Sequence, residues 1–176
     1  MKQLTVDWSE LELAFDNSFP EMSYYLDTET GRVLMVSDEI REQLESLYEE
    51  FFDPDSEENF DLPAVLQQQA ITEWEQEQLL EADQMEAGYG DRYVVIPTVE
   101  SRTAYEDMED FISTVQDNGL QDYLWRAIQG RGAFRYFKDV LSDHPAERER
   151  WFAYRDGRLR QRICDWLADV GIEPMS

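Results

Sequence analysis

The sequence predicts an α+β fold in which a small antiparallel sheet of about three strands packs against several helices. Three observations support this prediction. Short β-rich runs bounded by turn residues occur before residue 97. From residue 101 to 172 apolar residues recur at helical spacing, which predicts a helical subdomain there. The 176 residues are 42% hydrophobic and 13% aromatic, enough for the core of a single domain over 1–176.

The elements of the first hundred residues follow from local patterns. An apolar stripe predicts a short helix over residues 7–16. A hairpin is predicted from Met22–Asp27 and Arg32–Val36, because both runs are β-rich and a turn ending in glycine separates them. Ser37 is placed as the N-cap of a second amphipathic helix. A third strand is predicted at Tyr93–Pro97, where the proline ends it.

Residues 53–90 differ in composition from the rest of the chain. They include eleven acidic residues and a run of three glutamines, with no lysine or arginine. A helix is expected from about Leu62 to Glu86, with an imperfect apolar stripe. This composition is typical of an insertion or a mobile helical arm, so we predict one here.

The helices after residue 101 have clearer boundaries. Ser101 is expected to cap the first of them, and Gly130 to end the second. A third, short stripe follows. Pro145 suits the first position of the next helix, and Gly171 closes the last one.

Charge is distributed unevenly along the chain. Residues 1–125 have 5 basic and 32 acidic residues, whereas residues 126–162 have 10 basic and 5 acidic ones. The net charge of −25 opposes nonspecific binding to nucleic acid or to an anionic membrane. We therefore expect a protein partner whose identity the sequence does not specify, and a basic surface would complement this one.

The chain lacks the motifs of common cofactor enzymes. It has no phosphate-binding loop, dinucleotide glycine fingerprint or nucleophile elbow, so we assign no cofactor and no catalytic residue. Cys164 and His144 are the only residues of their types, too few for an ordinary zinc site. One cysteine and no long apolar run favour a reducing, cytoplasmic location without a membrane segment.

The first candidate site is an anion site at a glycine-flanked turn. It consists of Gly130, Arg131, Gly132, Arg135 and Lys138. Glycine allows the backbone to approach a ligand, the following helix begins near Ala133 with free N–H groups, and the arginines add charge-assisted contacts. The alternative is structural: the glycines allow a helix–helix turn, and the arginines pair with the protein's own carboxylates.

The second candidate is weak nucleic-acid binding through Arg155, Arg158 and Arg162. Arg158 and Arg162 lie one helical turn apart beside an apolar stripe. The surrounding negative field repels phosphate, so the alternative again is that these arginines neutralise acids of the fold.

A dense group of carboxylates lies on the helix after Ser101, at Glu106, Asp107, Glu109 and Asp110. Metal-dependent hydrolysis or phosphoryl transfer needs carboxylates that converge from several elements. Neighbours on one helix point in different directions, so we expect these to be solvated surface acids and assign no metal site.

The order of several motifs resembles a known family. The relevant residues are Tyr24 to Val36, Tyr93 to Pro97, Ser101, Tyr105, Met108, Phe111, Ile112, Ala127, Ile128, Gly130 to Asp139, Trp151, Phe152, Trp166 and Leu167. This pattern resembles uncharacterised protein family 0158 of the UPF series, a bacterial family, over most of the chain except residues 53–90. The resemblance implies a shared fold and a bacterial cytoplasmic setting. It implies no catalytic residues, because the family has no assigned activity.

Together these observations favour a non-enzymatic binding or regulatory module over an enzyme. Its acidic surface would engage a basic partner, and the turn from Gly130 to Lys138 would engage an anion or an acidic group. A metal-dependent hydrolase or phosphoryl-transfer enzyme is the first alternative. Weak nucleic-acid binding through the C-terminal helices is the second.

Overall fold

The computed structural model describes residues 1–175 and shows the predicted α+β fold. These residues form eight α-helices and two sheets. The chain divides into two compact units. Unit 1 consists of Met1–Pro97 together with the segment from Val170 onward, and unit 2 consists of Thr98–Asp169. That the whole chain behaves as a single domain stays a prediction.

Unit 1 combines both sheets with four helices. In chain order its elements are β1 (Lys2–Thr5), α1 (Trp8–Phe15), β2 (Met22–Asp27), β3 (Val33–Ser37), α2 (Asp38–Phe51), α3 (Leu62–Gln67), α4 (Glu73–Ala87), β4 (Tyr93–Val95) and β5 (Ile172–Met175). The predicted three-stranded sheet is confirmed, with β2 in the centre and antiparallel to both β3 and β4. Sequence analysis missed β1 and β5, which pair in parallel.

The hairpin turn explains one glycine of unit 1. Gly31 follows β2 with a φ of +79°, a left-handed conformation that other residues rarely adopt. A Cβ atom at this position would lie 2.0 Å from the backbone oxygen of Thr5, the last residue of β1. Glycine therefore allows the hairpin turn to approach the first strand.

The acidic segment 53–90 contributes directly to the core of unit 1. Its two helices bury five apolar side chains, those of Leu62, Leu66, Leu79, Ala82 and Met85. These helices therefore pack into the core of unit 1. The expected single helix over 62–86 is wrong, because the chain leaves helix after Gln67 and α4 begins at a reciprocal cap between Thr72 and Glu75. That the segment is an insertion or a mobile helical arm stays a prediction.

Unit 2 is helical, as predicted. Its elements are α5 (Ser101–Ser113), α6 (Asn118–Ala127), α7 (Ala133–Ser142) and α8 (Pro145–Asp169). Phe111, Phe137 and Trp151 form an aromatic cluster in its core, with ring centroids 4.9–6.2 Å apart. Pro145 begins α8, as expected. Ser101 is not a cap: it is the first helical residue, and Glu100 precedes it without a side-chain hydrogen bond.

One ion pair connects the hairpin of unit 1 to β4. Asp27 is buried at the end of β2, where its carboxylate accepts two hydrogen bonds from Arg92, at 3.0 Å from Nε and 2.7 Å from Nη2. The N–H groups of Glu29 and Thr30 also donate to it. Burial alone would raise the pKa of Asp27, but these hydrogen bonds together outweigh it and lower the pKa to about 2.

Replacement of Asp27 should destabilise the protein. We expect Asp27→Asn to lower the free energy of unfolding by about 3 kcal/mol, because Arg92 then lies beside a buried amide instead of a carboxylate. Glu29→Gln is the matched control, since Glu29 contacts the same guanidinium at 3.1 Å but is largely exposed, and it should cost less than about 1 kcal/mol. Urea unfolding followed by circular dichroism measures both. Equal losses would show that burial of Asp27 has no special importance.

The same ion pair predicts an acid-sensitive part of stability. The folded-state pKa of Asp27 is depressed from 3.8 to about 2, so its contribution is fully present above about pH 4 and is lost as pH falls toward 2. The difference in unfolding free energy between the wild type and Asp27→Asn should therefore shrink over this interval. A difference that stays constant from pH 5 to about pH 2 would contradict the assignment.

Candidate functional site

The predicted anion site lies at the turn between α6 and α7. Gly130 and Gly132 both adopt left-handed φ angles, of +94° and +77°. A Cβ atom on Gly132 would also lie 3.0 Å from Cε2 of Tyr136, a closer approach than side chains tolerate well. The backbone of this turn therefore requires both glycines, as expected if their role is to allow a helix–helix turn. Arg131, between them, is exposed.

The N-terminus of α7 has no side-chain cap. Its first intrahelical bond runs from the N–H of Tyr136 to the oxygen of Gly132, at 2.9 Å. The N–H groups of the three preceding residues have no side-chain acceptor, and they stand at the positive end of the helix dipole. By contrast, the N-cap residue of α1, α2, α3, α4 and α6 is Asp, Ser or Thr, and its side chain accepts a hydrogen bond from a backbone N–H of the first turn.

Two cations lie beside this turn, and we find no counter-ion for either of them among residues 1–175. Within the described residues, neither Arg131 nor Lys138 forms an ion pair, and both are exposed. Arg135 has one exposed contact, with Asp139 at 3.8 Å on the same helix. Such an exposed pair is worth little and is readily replaced by an external anion. The three sequence-predicted cations are thus all exposed, on the turn and the first two turns of α7.

The arginines proposed for nucleic-acid binding are placed differently. Arg162 binds Asp107 bidentately, at 2.6 and 2.7 Å, and Asp107 is buried. Arg158 binds Asp110 at 2.7 Å and contacts the hydroxyl of Tyr154. Arg155 is half-buried on the same helix. These pairs agree with the alternative in which α8 neutralises acids of the fold, so nucleic-acid binding stays a prediction.

The sequence predicts that the carboxylates of α5 are all solvated. That expectation is wrong for Asp107, which is only 5% exposed. It lies four residues before the buried Phe111, on the apolar stripe of α5, and α8 supplies its arginine. Glu106 instead pairs with exposed Arg102, and Asp110 with Arg158. Among residues 1–175 no three His, Cys, Asp or Glu side chains are grouped as metal ligands would be.

A cavity in unit 1 was missed by sequence analysis. It lies between α2 and α4, has a volume of about 490 Å³, and is lined by Arg41, Leu44, Glu45, Tyr48, Asp83, Glu86 and Ala87. The hydroxyl of Tyr48 donates to Asp83. Burial and this hydrogen bond raise the pKa of Tyr48 from 10.0 to about 12, so the phenol stays neutral and donates at physiological pH. The sequence offers one signal of this cavity, Arg41, which is an isolated cation on an otherwise acidic helix.

Comparison with known proteins identifies the family. The model of "Uncharacterised protein family (UPF0158)" matches residues 71–176. A UPF0158 protein of Pseudomonas aeruginosa is 30% identical over 174 residues, covering 99% of this chain and 88% of the relative. The chain belongs to the UPF0158 family. This membership confirms the resemblance found in the sequence, and it adds no activity.

Other UPF0158 proteins are longer than this chain. One from Chlamydia trachomatis is 26% identical over 156 residues, which cover 88% of this chain but 37% of the relative. A UPF0158 protein of Chlamydia muridarum gives the same identity over 36% of its length. The aligned region is thus little more than a third of these relatives. No solved structure matches the chain. No helix within residues 1–175 combines the length and apolar character needed to span a bilayer.

The two arginines of α8 should differ in their effect on stability. We expect Arg162→Ala to cost about 3–5 kcal/mol of unfolding free energy, because it leaves the buried carboxylate of Asp107 without its bidentate partner. Arg158→Ala removes the exposed pair with Asp110 and a longer contact with Asp107, at 4.0 Å, and should cost less than about 1 kcal/mol. Chemical denaturation of both variants tests this. If Arg158→Ala proved as damaging as Arg162→Ala, burial would not be what distinguishes the two pairs.

Proposed function

We propose that this UPF0158 member is a non-enzymatic binding module, and that the turn from Gly130 to Lys138 binds an anion or an acidic group on a partner. One observation carries the proposal. The chain has 40 acidic and 15 basic residues, yet Arg131 and Lys138 form no ion pair with any residue of 1–175. Exposed cations that remain unpaired amid excess acid are available to an external negative group.

The local geometry supports the same ligand class. The first turn of α7 has no side-chain cap, and it follows directly on the exposed Gly132. A carboxylate or phosphate there would accept hydrogen bonds from the backbone and meet the positive end of the helix dipole. Arg131 and Arg135 flank these N–H groups in sequence and would add charge-assisted hydrogen bonds.

The remainder of the chain supports a second part of the proposal, a basic partner. Residues 1–125 contain 32 acidic residues against 5 basic ones. Such a surface accelerates association with positively charged proteins and repels nucleic acid and anionic lipid. Within residues 1–175 we find no observation that favours the hydrolase alternative. For the nucleic-acid alternative, Arg158 and Arg162 are engaged with Asp110 and Asp107 of the fold.

Titration with inorganic phosphate and with a short glutamate-rich peptide tests the anion site. In ¹⁵N-correlated NMR spectra the amide signals of Ala133, Phe134 and Arg135 should shift on addition of either probe. The double variant Arg131→Ala, Arg135→Ala should weaken binding about tenfold. Its stability should change by less than about 1 kcal/mol, because both side chains are exposed.

A matched control removes the same charge elsewhere. Arg32 and Arg102 lie outside the α6–α7 turn and are exposed; Arg32 pairs with Glu81, and Arg102 with Glu106 on its own helix. Their double replacement by Ala should leave phosphate and peptide binding almost unchanged. Equal weakening by both double variants would show a general charge effect. If the Arg131, Arg135 variant lost stability but bound phosphate and the peptide as tightly as the wild type, these arginines would be structural and the proposal would be wrong.

A further inference from the structure

The cavity between α2 and α4 has the dimensions of a ligand site. Its volume of about 490 Å³ lies within the range of pockets that bind small molecules or single side chains. Both walls are helices whose inner faces are buried in the core of unit 1, through Leu44 and Leu47 on α2 and through Leu79 and Met85 on α4. The cavity is therefore bounded by rigid elements.

Negative charge exceeds positive charge in the lining of this cavity. Glu45 projects from α2, and Asp83 and Glu86 from α4, whereas Arg41 is the only cation. Arg41 is already engaged, since its Nη2 donates to the hydroxyl of Tyr25 at 2.6 Å and its Nε lies 3.6 Å from Glu86. Arg41 thus neutralises at most one of the three carboxylates.

The other two carboxylates form no ion pair with any residue of 1–175. Among these residues, the one hydrogen bond that the side chain of Asp83 accepts comes from the neutral phenol of Tyr48. Glu45 forms no ion pair or hydrogen bond through its side chain within the described residues, and it is exposed. The three lining carboxylates are also too dispersed to form a group of metal ligands. Two negative charges therefore face the cavity from opposite helices.

We propose that this cavity binds the side chain of an arginine from a basic partner protein. A planar guanidinium has five N–H donors on several edges, so it can bridge carboxylates that are too far apart to share one small ion. Its flat surface also packs well against aromatic rings, and Tyr48 lines the cavity. The aliphatic stem would lie against Leu44 and Ala87.

A protein segment is favoured over a free small cation by the charge around the cavity. Helices α2 and α4 together carry twelve acidic residues and one arginine, Arg41. A segment with several basic residues would interact with this wider field while one arginine enters the cavity. The inference goes beyond the anion site proposed above and rests on the proposed function only for the basic partner. Its test alters no residue of the α6–α7 turn.

The test compares three versions of one alanine-based peptide with several cationic positions, filled by arginine, lysine or citrulline. Calorimetric titration of the full chain at physiological ionic strength should give affinities at least about fivefold higher for arginine than for lysine. Citrulline, which keeps the shape but not the charge, should bind more weakly still. Equal affinities for the arginine and lysine peptides would overturn the proposal, because only the general field would then matter.

A pair of matched double variants locates the binding. Glu45→Gln with Glu86→Gln removes one lining carboxylate from each helix, and it should weaken the arginine peptide about tenfold. Glu42→Gln with Glu77→Gln removes one exposed acid from each of the same helices outside the lining, and it should weaken binding less than about threefold. All four side chains are solvent-accessible, and circular dichroism checks that each variant is folded. Equal weakening would overturn the proposal.

A last arm tests the nature of the occupant. Ethylguanidinium supplies the same group without a peptide. If it bound as tightly as the arginine peptide and lost affinity in the Glu45, Glu86 variant alone, the occupant would be a small molecule and the assignment to a partner protein would be wrong. Much weaker binding than that of the peptide is the expected result.

Discussion

The scarcity of positive charge constrains this protein more than any other property. With 15 basic residues for 40 acidic ones, each arginine used inside the fold is lost to external binding. Within residues 1–175, Asp27 is the buried carboxylate of unit 1 and Asp107 that of unit 2, and each is bound bidentately by an arginine. A buried carboxylate without such a partner would be strongly destabilising. Arg131 forms no ion pair within the part of the chain that the structure describes, and the proposed anion site rests on this observation.

Local patterns were sufficient to predict most of the fold. The hairpin and the helices of unit 2 were predicted because strand and helix periods, glycines and Pro145 are visible within short windows. Strands β1 and β5 were missed, since each has four residues and its partner lies about 170 residues away. The break in the helix between α3 and α4 had a local signal, the spacing of Thr72 and Glu75 that is typical of a helix cap. Glu75 is one of many acidic residues in this segment, so the spacing did not stand out.

The candidate sites, too, were predictable where their residues are neighbours in sequence and were missed where helix packing brings the residues together. The glycine turn with its basic residues was visible in sequence, because the relevant groups are neighbours in the chain. The partner of Arg162 was not, since Asp107 lies 55 residues away on another helix. The burial of Asp107 could have been inferred from its place four residues before Phe111. The cavity between α2 and α4 depends on how two helices pack, and spacing within either helix does not specify that.

The parallel pairing of β1 with β5 affects how unit 1 is assembled during synthesis. The backbone N–H of Lys2 donates to the oxygen of Gly171, so the first strand emerges from the ribosome long before its neighbour exists. Until then its edge lacks hydrogen-bond partners and is open to mispairing. Closing so long a loop is entropically costly and slow. The helices of unit 2 contact one another over shorter distances in sequence, so they can form before β5 is available to pair with β1.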